Sequence, residues 1–247
     1  MAKLAIIGGS GLASLAALKI TRQQVQHTPY GEPSGVLTYG VYADKEIIFM
    51  PRHGNPHVLP PHKINYRANI WALKENGITN IIGVNAVGGI TEQMLPGSLV
   101  IPNQIIDYTW SRDHTFFDDG LSEVTHIDFT HPYNEELRQA LLVAADSAGL
   151  DVLSSATYGA TQGPRLESAA EIRRLKNDGC DIVGMTGMPE ASLAKELEIR
   201  YASISIVANW GAGITEEALT MEAINAMLTK ALGKVHTLLG AAIPSLG

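Results

Sequence analysis

Short runs of consecutive apolar residues alternate along this 247-residue chain with longer stretches in which apolar residues recur every three or four positions. The runs predict β-strands over residues 3–7 (KLAII), 35–42, 46–50 and 81–84, and again over 155–160, 181–185 and 201–207. The periodic stretches predict helices with one buried face. INYRANIWALKENG (64–77) and NEELRQALLVAADSAG (134–149) each end at a glycine, further helices are predicted near 167–177 and 189–196, and a closing one starts at about 221. Strands written as unbroken apolar runs are covered on both faces, and their alternation with helices points to the α/β class: a mostly parallel or mixed β-sheet flanked by helices on both faces. No repeat, low-complexity tract or long linker divides the chain, so one domain over 1–247 is expected.

Composition narrows the setting. A hydrophobic fraction of 45% supports a sizeable core. The longest apolar run falls far short of the roughly 18–20 residues a membrane span requires, and the start MAKLAIIGGSG lacks a signal-peptide cleavage pattern, so a cytoplasmic protein without membrane partners is expected. The single cysteine, Cys180, excludes an intrachain disulfide and a CxxC-type zinc site, and is expected to be a small buried hydrophobe. With 25 acidic and 18 basic residues the formal net charge is −7, which argues against nucleic acid as a partner; an anionic substrate would need a local pocket.

Several motifs could supply that pocket. GGSG (8–11) after the first strand suits a phosphate nest, since glycines let backbone N–H groups and a hydroxyl converge on an anion, but a plain turn is equally compatible. It is not the dinucleotide fingerprint, because glycines stand at 8, 9 and 11. PRHGNPHVLPPH (51–62) places Arg52 and His53 at a strand end. Its histidines are spaced as for a helical metal site, but its glycine and prolines exclude a helix, so Arg52 and His53 read better as a phosphate grip, with an inactive surface loop as the alternative. NAVGGI (85–90) and GMTGMPEA (184–191) also read as strand ends leading into helices, the second with the hydroxyl of Thr186; such ends converge on one crevice in open α/β sheets. GPRLES (163–168) puts Glu167 at a helix start, either as a recognition group or as a first-turn acid favoured by the helix dipole.

Taken together, IIGGSGL, PRHGNPH followed by PHKINYRANIWALK, NAVGGI, GPRLES, GMTGMPEASLAKE and EEALTMEAI resemble the purine nucleoside phosphorylase and methylthioadenosine phosphorylase family over nearly the whole chain. The resemblance implies a nucleoside phosphorylase-like fold, a single α/β domain around a twisted, mixed β-sheet flanked by helices on both faces, a homotrimer, and phosphorolysis of a purine nucleoside to free purine and a pentose 1-phosphate, with inorganic phosphate as co-substrate and neither metal nor organic cofactor. It implies a phosphate site of Ser10, Arg52, His53, the backbone at Ala86, and Thr186. Met185 matches the residue against the sugar, Leu166 an apolar contact to the base, and His126 a residue lent by a neighbouring subunit to the 5′ end.

Departures from the methylthioadenosine branch set an expectation about the base. Where that branch carries Asp-x-Asp, this chain has Asn209-Trp210-Gly211, and Glu167 replaces a small hydroxyl residue. An amide can donate towards O6 and N7 of a 6-oxopurine, and a carboxylate can accept from its N1–H; adenine leaves the carboxylate facing a lone pair, at a cost of about 1–3 kcal/mol. Asn209 is thus the expected stabiliser of the departing purine, acting with the phosphate-holding Arg52 and His53, and Glu167 a recognition group. At the 5′ end, Leu219, Met221 and Ile224 make an apolar wall suited to a methylthio group, although Met221 and Ile224 also read as one helix's core stripe. The expected substrate is 5′-methylthioinosine, with inosine and guanosine, or methylthioadenosine, as alternatives.

Overall fold

Eleven strands and five helices form in the computed structural model, which describes residues 3–12, 15, 17–120, 122–216 and 219–246. In chain order they are β1 (Leu4–Gly8), β2 (Lys19–Gln24), β3 (Leu37–Tyr42), β4 (Lys45–Pro51), α1 (Tyr66–Glu75), β5 (Asn80–Gly89), β6 (Leu99–Val100), β7 (Gln104–Asp107), α2 (Glu135–Ser147), β8 (Val152–Leu153), β9 (Thr157–Ala160), α3 (Ala169–Asn177), β10 (Ile182–Gly184), α4 (Gly187–Glu196), β11 (Arg200–Trp210) and α5 (Met221–Ala242).

The strands make one mixed sheet, with a main path β2-β3-β4-β1-β5-β10-β9-β7. Consecutive residues of the central strands face opposite sides, as strand geometry requires. Ala5, Ile7, Ile48 and Met50 pack with Ile70 and Leu73 of α1 and Ala191 and Leu193 of α4. Leu4, Ile6, Ile47 and Phe49 pack with Leu141 of α2 and Val235 and Leu238 of α5. This two-sided cover is why β1 and β4 are written as apolar runs. Side chains set the helix starts: Asn65, Asn134 and Thr220 accept from backbone N–H groups of α1, α2 and α5, and Ser168 forms a reciprocal capping box with Glu171 at α3.

The feature that positions a site is a fork along β5. On one edge β5 pairs in parallel with β11 along its whole length. On the other, its first half pairs with β1 (Leu4↔Asn80 to Gly8↔Val84), while its last residues pair antiparallel with β10 (Val183↔Gly88, Ile182↔Gly89). Between Val84 and Gly88 neither neighbour covers that edge. NAVGGI is therefore not the strand-to-helix junction that its glycines suggested: Asn85 to Gly89 remain strand, and the gap beside them is where the chain opens.

Candidate active site

The ends of β1, β4 and β10, the middle of β5 and the end of β11 enclose a cavity of about 110 Å³ at this fork. Ser10, Arg52, His53, Ala86, Met185, Thr186, Asn209 and Ile224 all line it. Segments more than 200 residues apart in sequence thus meet because four strand ends stop beside the open edge of β5.

Arg52 directly follows β4 and is fully buried. Its Nε and Nη2 donate to the two carboxylate oxygens of Glu190 at 2.6 and 2.7 Å, and Nη1 donates to the Val84 carbonyl at 2.8 Å. Burial works against the guanidinium charge, but the Glu190 carboxylate outweighs it and raises the pKa above its ordinary value. Three of the five guanidinium N–H hydrogens are engaged, leaving one on each terminal nitrogen. The glycine loop lies close over this group: a Cβ at Gly9 would stand 2.7 Å from Nη1 and 2.5 Å from the Val84 carbonyl oxygen.

His53 is buried beside Arg52, stacked on His57 with ring centroids 4.2 Å apart. Burial pulls its pKa down to about 4. Nδ1 lies 2.8 Å from the Leu59 carbonyl oxygen, which can only accept, so the neutral ring carries its hydrogen on Nδ1 and leaves Nε2 as an acceptor. Opposite, the Thr186 hydroxyl donates to Asn85 Oδ1 at 3.3 Å, and Asn85 Nδ2 donates to Ser203 Oγ at 2.8 Å.

At the other end, β11 continues beyond the predicted limit of residue 207 to Trp210, with an irregularity in its pairing to β5 between Val207 and Asn209. Asn209 thus sits inside the strand's last residues rather than past its end. Its amide donates to the Trp210 carbonyl at 2.7 Å, leaving one amide hydrogen and Oδ1 unengaged by that bond. A second cavity of about 140 Å³ adjoins here, sharing Ala208, Asn209 and Ile224 and adding Leu219, Ala223 and Met227. Glu167 lies elsewhere: it precedes the Ser168 cap of α3, outside the helix, and lines a third cavity of about 270 Å³ with Thr161, Gln162 and Gly163. The two regions abut, since Thr161 N donates to the carbonyl of Gly184, itself a wall of the first cavity.

Three expected contacts fall outside these cavities in the single chain. Met221, the first residue of α5, is 61% exposed, whereas Ile224 one turn later is buried. Leu166 is 40% exposed, and His126 is exposed. Conversely, Glu190, Asn85, Thr161 and Arg112 were not singled out by sequence. The signal for one of them was present: Asn85 is an amide inside an apolar run. No group of three or more His, Cys, Asp or Glu side chains suited to a metal ion occurs among the described residues, nor is any helix there long and apolar enough to cross a membrane.

Residues 3–244 match the model of the phosphorylase superfamily. The chain belongs to that superfamily. Within it, the chain is 52% identical to a probable S-methyl-5′-thioinosine phosphorylase of Pseudomonas syringae pv. tomato, over 97% of each chain. It is 47% identical to a 6-oxopurine nucleoside phosphorylase of Pyrococcus furiosus, over 99% of this chain and 93% of the other. Among solved structures, the methylthioadenosine phosphorylase of Schistosoma mansoni in complex with adenine superposes with a TM-score of 0.95 at 34% identity, covering 100% of this chain and 92% of that one. The mixed sheet flanked by helices is thus the nucleoside phosphorylase fold, as the resemblance implied.

Proposed function

We propose that this chain phosphorolyses 5′-methylthioinosine to hypoxanthine and 5-methylthioribose 1-phosphate. The observation that carries the reading is the strand-end cavity that joins an Arg52–His53–Thr186 anion cradle to Asn209, with Ile224 leading into an apolar annex. Relatives named for methylthioinosine and for 6-oxopurine nucleosides support the same base and sugar.

In this reading phosphate rests between the Gly9–Ser10 loop, the two remaining Arg52 hydrogens, the backbone at Ala86 and the Thr186 hydroxyl, which turns its one hydrogen from Asn85 Oδ1 to the anion. Because Glu190 already balances Arg52, the dianion is held by oriented donors rather than by excess charge. The acceptor Nε2 of His53 suits the one P–OH of monohydrogen phosphate. Phosphate then attacks C1′ as the glycosidic bond stretches, while Asn209 donates towards N7 and O6 of the departing purine, an interaction that strengthens as negative charge develops. Glu167 accepts from N1–H. Met185 supports the sugar, with Leu166 towards the base, and Leu219 and Ile224 meet the methylthio group. Met221 and His126, exposed in one chain, would reach the 5′ end only through closure of the α5 start and a neighbouring subunit of the proposed homotrimer. Nucleoside and phosphate suffice as partners in a cytoplasmic enzyme that needs no metal or organic cofactor.

Phosphorolysis rates of methylthioinosine, methylthioadenosine and inosine test the proposal. The expected order places methylthioinosine first by kcat/KM. A preference for methylthioadenosine would overturn the base assignment, and equal use of inosine would overturn the apolar 5′ wall.

A further inference from the structure

Glu167 stands outside any helix, on a side chain with three rotatable bonds, yet a base-reading carboxylate must present one defined oxygen. Its hydrogen-bond partner is Thr161, whose Oγ1 lies 2.5 Å from Glu167 Oε1 and 3.3 Å from the Gly184 carbonyl oxygen. We infer that Thr161 is a positioning residue for purine selection: it occupies Oε1 of Glu167 so that Oε2 always meets the base as an acceptor. The inference rests on the 6-oxopurine reading above.

The chemistry follows from one hydroxyl with one hydrogen. When Glu167 is a carboxylate, Thr161 donates to Oε1, and Oε2 remains with lone pairs only. Oε2 then accepts from the N1–H of a 6-oxopurine and faces the bare N1 of adenine without a hydrogen to offer. Without Thr161 the carboxyl group could rotate.

Thr161 is itself held. Its N–H donates to Gly184 O at 2.8 Å. Its carbonyl and that of Gln162 accept from Nη2 of the buried Arg112 at 3.3 and 2.9 Å. Nη1 of the same guanidinium donates to the carbonyls of Met185 at 2.8 Å and Met188 at 2.6 Å, and Arg112 pairs with no carboxylate among the described residues. One cation therefore ties the backbone that aims Glu167 to the backbone beside the sugar.

Thr161→Val and Thr161→Ser test this, with kcat/KM measured for methylthioinosine and methylthioadenosine alongside the phosphate KM and Tm. In Thr161→Val the ratio of the two kcat/KM values is expected to fall by about tenfold or more, through loss of one charge-assisted hydrogen bond. Phosphate KM should hold, and Thr161→Ser should retain the wild-type ratio. A ratio unchanged within about twofold in Thr161→Val, or an equal loss on both nucleosides, overturns the inference while leaving the 6-oxopurine reading intact. A wild-type preference for methylthioadenosine overturns that reading and this inference with it; the two failures are thus read from different enzymes.

Discussion

Between β4 and α4, Arg52 and Glu190 are both withdrawn from water, Arg52 fully and Glu190 to 1% exposure. Two buried charges are tolerated only when each is paired and hydrogen-bonded, and here Glu190 also accepts from Tyr201 Oη at 2.8 Å. Removing one partner leaves the other charge uncompensated. Glu190→Ala is therefore expected to lower unfolding free energy by about 3–5 kcal/mol, measured by chemical denaturation. Glu190→Gln keeps the shape and one acceptor but no longer balances both guanidinium donors; it should fold, and raise the phosphate KM by about tenfold as Arg52 loses a charge-assisted bond. An unchanged phosphate KM in that folded variant would remove Arg52 from the anion cradle. Arg52 was legible in sequence because an arginine beside a histidine at a strand end has few structural uses. Glu190 was not, because its partner lies 138 residues away and nothing local distinguishes it from a helix acid.

At the scale of elements, apolar runs predicted the seven strands β1, β3, β4, β5, β9, β10 and β11 and missed β2, whose residues KITRQQ are almost all exposed and carry no core pattern, as well as β6, β7 and β8, which are too short to show one. The end of β11 was missed for a different reason. Asn209 and Trp210 extend it because Gly88 and Gly89 of β5 remain available to pair, a long-range fact. Behind Asn209 the chain turns tightly over α3: Gly213 has φ +75°, and a Cβ there would stand 2.5 Å from that of Ala169, two residues after Glu167. The turn after Asn209 and the segment bearing Glu167 therefore pack against each other through glycine. Gly213→Ala combines left-handed backbone strain with that overlap and should cost about 1–3 kcal/mol. It should also raise the nucleoside KM while the phosphate KM holds, since only the base end is displaced. Steady-state kinetics with each substrate varied separately check this; a phosphate KM that rises in step would mean the two ends move as one.

For the whole molecule, the fork in β5 and the pairing of β10 to its end could not be read from local pattern, although the convergence of strand ends on a single crevice could. That crevice makes overall stability depend on pH through His53. Burial lowers the folded-state pKa to about 4, whereas an unfolded histidine titrates near 6.5. The unfolded chain therefore binds more protons between those values. The stability conferred by a neutral, buried His53 is fully present above about pH 6.5 and is lost as pH falls towards 4, by about 1.4 kcal/mol per pH unit, or roughly 3 kcal/mol in all. His57, stacked on it and also lowered by burial, acts in the same direction. Denaturant unfolding of the wild type and of His53→Gln at pH 7 and pH 4 isolates the effect, because carboxylates elsewhere titrate alike in both. The wild type should lose on the order of 3 kcal/mol more than the variant over this interval, and the two should run parallel above pH 7. Identical losses in both would mean that His53 titrates alike in the folded and unfolded chain, which overturns the lowered pKa; a smaller loss in the wild type than in the variant would mean a raised folded-state pKa, in which case Nε2 carries a hydrogen and meets phosphate as a donor rather than as the acceptor of its P–OH.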